Sequence, residues 1–126
     1  MRSKTDIKLS RVGYLMIPVR DLKRSLSFYG DALGLTIRFA NDEFAFLDGG
    51  GVALALRHAK NLTPQPESSS IEVVFEVDDI DEAYESLRTR GISFRIAPRE
   101  ATGDRYVADF RDPDGHVLSI FGPKSG

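Results

Sequence analysis

The chain contains no cysteine. That excludes disulfides, thiolate nucleophiles and cysteine-ligated metals, and it suits a reducing cytoplasm. Histidine is scarce, with His58 and His116 the only two. No apolar run approaches the roughly 18 residues of a membrane span, and the first residues lack the apolar core of a signal peptide. A cytoplasmic location without membrane contact is therefore expected. No charge of one sign dominates, because the formal net charge is −2. Such a balance leaves no electrostatic footprint for nucleic acid. Arg2, Lys4, Lys8 and Arg11 do cluster near the start, and read as a solvated tail. No Gly-x-Ser-x-Gly elbow is present, which argues against a serine nucleophile. Gly49-Gly50-Gly51 lacks the Lys-Ser/Thr pair and the following helix of a phosphate loop. It reads as a hairpin turn.

What is present is an ordinary soluble composition written twice. The length, 126 residues, suits one domain. In the first half, "VGYLMIPV" (12–19) is a short β-rich run. Leu22, Leu26, Tyr29 and Leu33 then fall on one helical stripe, with Asp21 as N-cap and Gly34 just past the end. Three short strands follow, "LTIRFA", "EFAFLD" and "GVALALRH". The second half repeats the order: the strand "SIEVVFEVDD", a helix with Ile80, Ala83, Tyr84 and Leu87 on one stripe and Gly91 at its end, then "ISFRIA", "RYVADFRD" and "GHVLSIFG". Val19 and Val77, Leu22 and Ile80, Leu26 and Tyr84, and Tyr29 and Leu87 all lie 58 residues apart. From Gly34 and Gly91 onward the offset is 57. Matched residues at a near-constant offset indicate an internal duplication.

The expected fold class is therefore α+β, a single domain over 1–126 built of two βαβββ modules. The first spans 12–58 and the second 71–122, joined by the Pro- and Ser-rich linker "AKNLTPQPESSS" at 59–70. One helix covers only one face of four strands. The opposite faces should curve around a cleft, where ligands tend to bind.

The duplicated βαβββ pattern, the stretch "VRDLKRSLSFYGDALGLTIRF" and the closing "DPDGHVLSIF" resemble the vicinal oxygen chelate superfamily, from about Val12 to Phe121. That group includes glyoxalase I, extradiol dioxygenases, fosfomycin-modifying enzymes and bleomycin-resistance proteins. The resemblance implies a homodimer whose clefts draw on both chains. It also implies four metal-ligand positions, on the first, fourth, fifth and eighth strands. These positions hold Tyr14, Ala55, Glu72 and Ser119 here. Only Glu72 is an ordinary ligand for a divalent ion.

Alternation along each strand separates the two faces. Tyr14, Met16 and Pro18 are expected on the cleft side of the first strand, and Ala53, Ala55 and Arg57 on that of the fourth. Glu72, Val74 and Glu76 are expected there on the fifth, and Val117, Ser119 and Phe121 on the eighth. Of the aromatics Phe39, Phe44, Phe46, Tyr106, Phe110 and Phe121, most should be core and some should line the cleft. His58 reads as a rim residue, and His116 as solvent-facing or as a cap on its hairpin. Glu72 is either a general base or cation-binding group, or one half of a salt bridge with Arg57 or another arginine. Tyr14 either contacts a ligand or fills space. Arg57, Arg105 and Arg111 are candidates for an anionic group.

The expected function is metal-free binding of a small amphipathic or cationic compound, with no cofactor. Tyr14, Ala55, Arg57, Glu72, Glu76, Ser119 and Phe121 would line the site. The alternative is a lyase, isomerase or dioxygenase relative with Glu72 as base and Tyr14 as acid.

Overall fold

A computed structural model of the chain describes residues 9–62 and 71–126. Arg2, Lys4 and Lys8 of the basic cluster, and positions 63–70 of the expected linker, lie outside the described residues. The first half runs β1 (Tyr14–Val19), α1 (Leu22–Leu26) continued by a π-helical stretch (Ser27–Ala32), β2 (Ile37–Ala40), β3 (Phe44–Asp48) and β4 (Ala53–His58). The second runs β5 (Val73–Glu76), α2 (Ile80–Thr89), β6 (Phe94–Glu100), β7 (Arg105–Arg111) and β8 (Val117–Pro123). Each half is one four-stranded mixed sheet, in the orders β1-β4-β3-β2 and β5-β8-β7-β6. The outer pairs β1–β4 and β5–β8 are parallel, because the helix of each half supplies the crossover.

The two helices start alike. Asp21 accepts from the Arg24 N–H at 3.1 Å, and Asp79 from the Glu82 N–H at 3.1 Å, satisfying a donor that a first turn leaves orphaned. They also end alike, at Gly34 (φ 82°) and Gly91 (φ 94°), where a Cβ would be strained. Between these ends they differ. The sequence predicts one α-helix in the first half, and the structure has a π-helical stretch from Ser27. The Leu33 N–H reaches back five residues to the Phe28 carbonyl at 2.9 Å. A π turn holds one residue more than an α turn. It therefore absorbs the residue by which the repeat offset drops from 58 to 57.

One continuous core joins the halves through their helical sides. Ile17, Val19, Leu54 and Leu56 enter it from the first sheet, and Phe110, Leu118 and Ile120 from the second. Phe28 lies 6.4 Å from Phe110, centroid to centroid. Beside this contact, the 112–116 turn plugs into the β1–α1 corner of the first half. The Tyr29 hydroxyl donates to Asp112 Oδ2 at 2.7 Å. Asp112 Oδ1 meanwhile accepts from the Asp114 and His116 N–H groups at 2.9 and 2.8 Å. Asp114, its side chain fully buried, accepts from the Arg20 N–H (3.1 Å) and Nε (2.9 Å). Burial first, and then the Asp112 carboxylate, pushes the Tyr29 phenol far above its usual value.

His116 corrects its expected placement in part. Its backbone N–H does cap the turn, but its ring is half-buried and its Nε2 bonds the Pro18 carbonyl of the first half at 2.7 Å. The bond ties two segments that lie 98 residues apart.

Candidate ligand-binding faces

With the helical sides packed together, each sheet presents its other, concave face outward. Cross-strand register assigns these faces, because partners directly opposite point the same way. On the first sheet, Tyr14 pairs with Ala53, Met16 with Ala55, and Pro18 with Arg57. Phe46 pairs with Ala55, Phe44 with Arg57, and Phe39 with Phe46. Small residues at 53 and 55 make room for rings on either side. Tyr14 stands edge-on to Phe46 with centroids 5.4 Å apart, and Phe39 lies 6.5 Å from Phe46. Tyr14, Met16 and Phe39 remain 50, 38 and 53% exposed, a wall of aromatic and thioether surface open to solvent. Its charged groups sit at the ends. Arg57 is exposed, and Asp48 bonds Arg38 at 2.8 Å. The Gly50 N–H, and then Arg38, hold the Asp48 carboxyl below its usual range.

The second concave face is mixed: it carries Glu72, Glu76, Asp109 and Ser119, but also Val107, Val117 and Phe121 and the half-exposed Val74 and Ile96. In β5 and β8, Val74 pairs with Ser119 and Glu76 with Phe121. In β7, Asp109 pairs with Ser119, Val107 with Phe121, and Arg111 with Val117. Ser119 is fully buried, and its hydroxyl donates to Glu72 Oε2 at 2.6 Å. That is the length of a charge-assisted O–H···O⁻ bond. Glu72 itself is exposed, as is Glu76.

Ser119 is thus the partner that holds the Glu72 carboxylate. Ala55 occupies the corresponding central position of the first face, is fully buried and offers no polar atom.

The candidate residues sort into two sets. Tyr14, Ala55 and Arg57 share the first face; Glu72, Glu76, Ser119 and Phe121 share the second. Among the described residues, the bonds Tyr29–Asp112, Arg20–Asp114, Arg90–Ala32 and His116–Pro18 and the ring contact Phe28–Phe110 join the halves through the opposite, helical sides. Of the two other arginine candidates, Arg111 Nη1 donates to the Gly115 carbonyl at 2.9 Å, and the exposed Arg105 lies 3.7 Å from its neighbour Asp104. His58 is half-buried at the end of β4. Phe110 and Tyr106 belong to the core side.

Asp109 was absent from the expected site. It lies on the second face beside Ser119, 9% exposed, with Arg95 at 3.4 Å and Arg99 at 3.8 Å. Its Oδ1 is buried and outside any hydrogen bond. The alternation of "RYVADFR" and the pairing of 109 with 119 are the signals that reach it.

The family model for the Glyoxalase/Bleomycin resistance protein/Dioxygenase superfamily matches residues 11–120, and the chain belongs to that superfamily. It is 30% identical to the uncharacterized protein YraH of Bacillus subtilis, over 82% of this chain and 91% of that one. It is likewise 30% identical to a bleomycin resistance protein of Geobacillus stearothermophilus, over 83% and 91% of the two chains. A glyoxalase/bleomycin resistance protein/dioxygenase from Nocardioides superposes with a TM-score of 0.76 at 29% identity, covering 98% of this chain and 91% of that one. No helix among the described residues is long and apolar enough to cross a membrane.

Proposed function

We propose that the protein is a metal-free binder of small amphipathic cations, acting as a cytoplasmic homodimer. The ligand would lie between the aromatic face of one copy and the polar face of the other. The carrying observation is the contrast between the two concave faces. Tyr14, Met16, Phe39 and Phe46 offer a π-rich apolar surface suited to a planar or cationic group. Glu72, oriented by Ser119, and Glu76 offer carboxylates to a positive charge, and the buried Asp109 Oδ1 can accept a ligand N–H. Exposed apolar surface of this kind, rimmed by polar groups, marks a binding face.

The donor set supports the metal-free reading. Of the four superfamily ligand positions, Ala55 has no donor, the Ser119 hydroxyl proton is engaged by Glu72, and the Tyr14 ring packs on Phe46. These residues do not fit a divalent ion that takes imidazole and carboxylate. The Geobacillus relative is by its name a bleomycin resistance protein, which supports a small-molecule ligand.

The test is calorimetric titration with 9-aminoacridine, a planar aromatic cation, against neutral acridine. Saturable binding at one site per chain, with at least roughly tenfold preference for the cation, is expected. Equal binding of both compounds, or none, would remove the proposed role of the carboxylates. Glu72→Gln separates binder from enzyme. It should weaken a binder modestly, whereas complete loss of a detectable turnover would make Glu72 a base.

A further inference from the structure

The duplication supplies an internal control that exposes a second site, on the helical side and away from both concave faces. A cavity of about 250 Å³ lies where α2 and the 33–35 segment of the first half meet over the second sheet. Phe75, Phe110 and Ile120 form its floor, Leu87 one wall, and Leu33 and Leu35 the opposite side. At the matching place in the first half the repeat puts a ring. Tyr29 corresponds to Leu87 at an offset of 58, so Phe28 corresponds to Ser86. Phe28 packs on the core beside Tyr29 at 5.2 Å, while Ser86 leaves the equivalent space open in the second half.

The polar groups of the cavity are few and placed together. Ser86 lies on α2 and Arg90 is the residue that caps its C-terminal end, and both line the cavity. Arg90 is the only exposed residue of the lining and therefore marks the mouth. Its Nη1 donates to the Ala32 carbonyl at 3.1 Å, which anchors the guanidinium across the gap. A guanidinium has five N–H donors, so one such bond leaves others for a ligand. Of the last carbonyls of α2, those of Ser86 and Leu87 accept from the Arg90 N–H, and that of Arg88 from the Gly91 N–H. An apolar chamber with a cation and a hydroxyl at one end matches an apolar tail with an anionic head.

We propose that this cavity binds a medium-chain carboxylate, its chain over Phe75, Phe110 and Ile120 and its carboxylate on Arg90. Because Leu33 and Leu35 come from the first half and α2 from the second, the ligand bridges the two halves and stabilises their association.

Octanoate is the probe, 1-octanol the uncharged control, and the full-length protein the target. Near a hundredfold excess over Kd, octanoate should raise Tm by roughly 10 °C. Amide shifts should be confined to residues around 33–35 and 83–90, and octanol should bind at least roughly tenfold more weakly. Ser86→Phe, which installs the ring used by the first half, should fold without loss of Tm and abolish the octanoate shift. Ala83→Leu fills the same space if that variant fails to fold. Arg90→Gln should reduce octanoate to the affinity of octanol, and Glu72→Gln and Tyr14→Ala should leave octanoate binding unchanged. The proposal is overturned if octanoate gives no shift, if the filled variants respond as the parent does, or if the concave-face variants abolish the response.

Discussion

The two halves share a plan and differ in two places, and each difference has a consequence. Both use an Asp N-cap, a Gly at the helix end and a parallel outer strand pair. Inside the helix, the first half carries a π turn with Phe28 and Tyr29, and the second a regular α-helix with Ser86 and Leu87. On the concave sheets, the first half presents rings over Ala53 and Ala55, and the second Glu72, Ser119 and Asp109. A repeated backbone therefore sets where side chains point, and substitution at matched positions makes one face aromatic and gives the other its carboxylates. A homodimer pairing unlike faces would enclose two equal, amphipathic clefts.

Breaking the contact between the halves should have the largest effect. Phe110→Ala removes the ring that meets Phe28 from one side and Phe94, at 5.1 Å, from its own half. Unfolding by denaturant should show a loss of about 3–5 kcal/mol; a loss below about 1 kcal/mol would mean that the halves do not share a core. Next comes Tyr29→Phe, which leaves Asp112 Oδ2 without its donor and should lose about 1–3 kcal/mol. Its pH profile is the sharper readout. The folded protein holds the phenol neutral well above the ordinary value of 10.0. Its contribution is therefore fully present below that pH and is lost as pH rises beyond it, when the unfolded chain ionises. The alkaline fall in stability should flatten in Tyr29→Phe.

A smaller effect separates the faces. Tyr14→Ala should weaken binding of 9-aminoacridine and neutral acridine alike, whereas Glu72→Gln should weaken the cation alone, each by about tenfold or 1.4 kcal/mol. Parallel losses for both compounds in Glu72→Gln would erase the distinction between the faces. Smallest is the pair of caps. Asp21→Ala and Asp79→Ala should each lower Tm by removing the cap on one first-turn N–H. Asp79→Ala should lose the more, because Asp79 also accepts from Ser125 Oγ at 2.7 Å. Those bonds hold the Asp79 carboxyl below its usual value, so its contribution fades as pH falls through the acid range.

Much of this was legible in the sequence because it depends on local period. The caps, the two glycines and the division of each strand into core and concave sides follow from spacings of two, three and four. The π turn was hidden, because Leu22, Leu26, Tyr29 and Leu33 also suit an α-helix. Its trace was the slip from 58 to 57 in the repeat. The remaining surprises are long-range. The bond of His116 to Pro18 spans 98 residues and that of Ser119 to Glu72 spans 47. No local signal announces either. Asp109 resembled any charged residue in a strand until its register placed it beside Ser119. The cavity beside Ser86 became interpretable only when its repeat partner was seen to be Phe28.

The central claim is that a cleft takes its aromatic wall from one copy and its polar wall from another. It is tested most directly by mixing two damaged proteins, Tyr14→Ala/Phe46→Ala and Glu72→Gln/Ser119→Ala, after a dissociation and reassociation step. Titration with 9-aminoacridine then counts the sites of parental affinity. If walls come from different chains, each mixed dimer holds one cleft damaged on both walls and one intact cleft, so parental sites should reappear at about one per mixed dimer. If no parental sites reappear although mixed dimers have formed, the walls belong to one chain and the account is wrong.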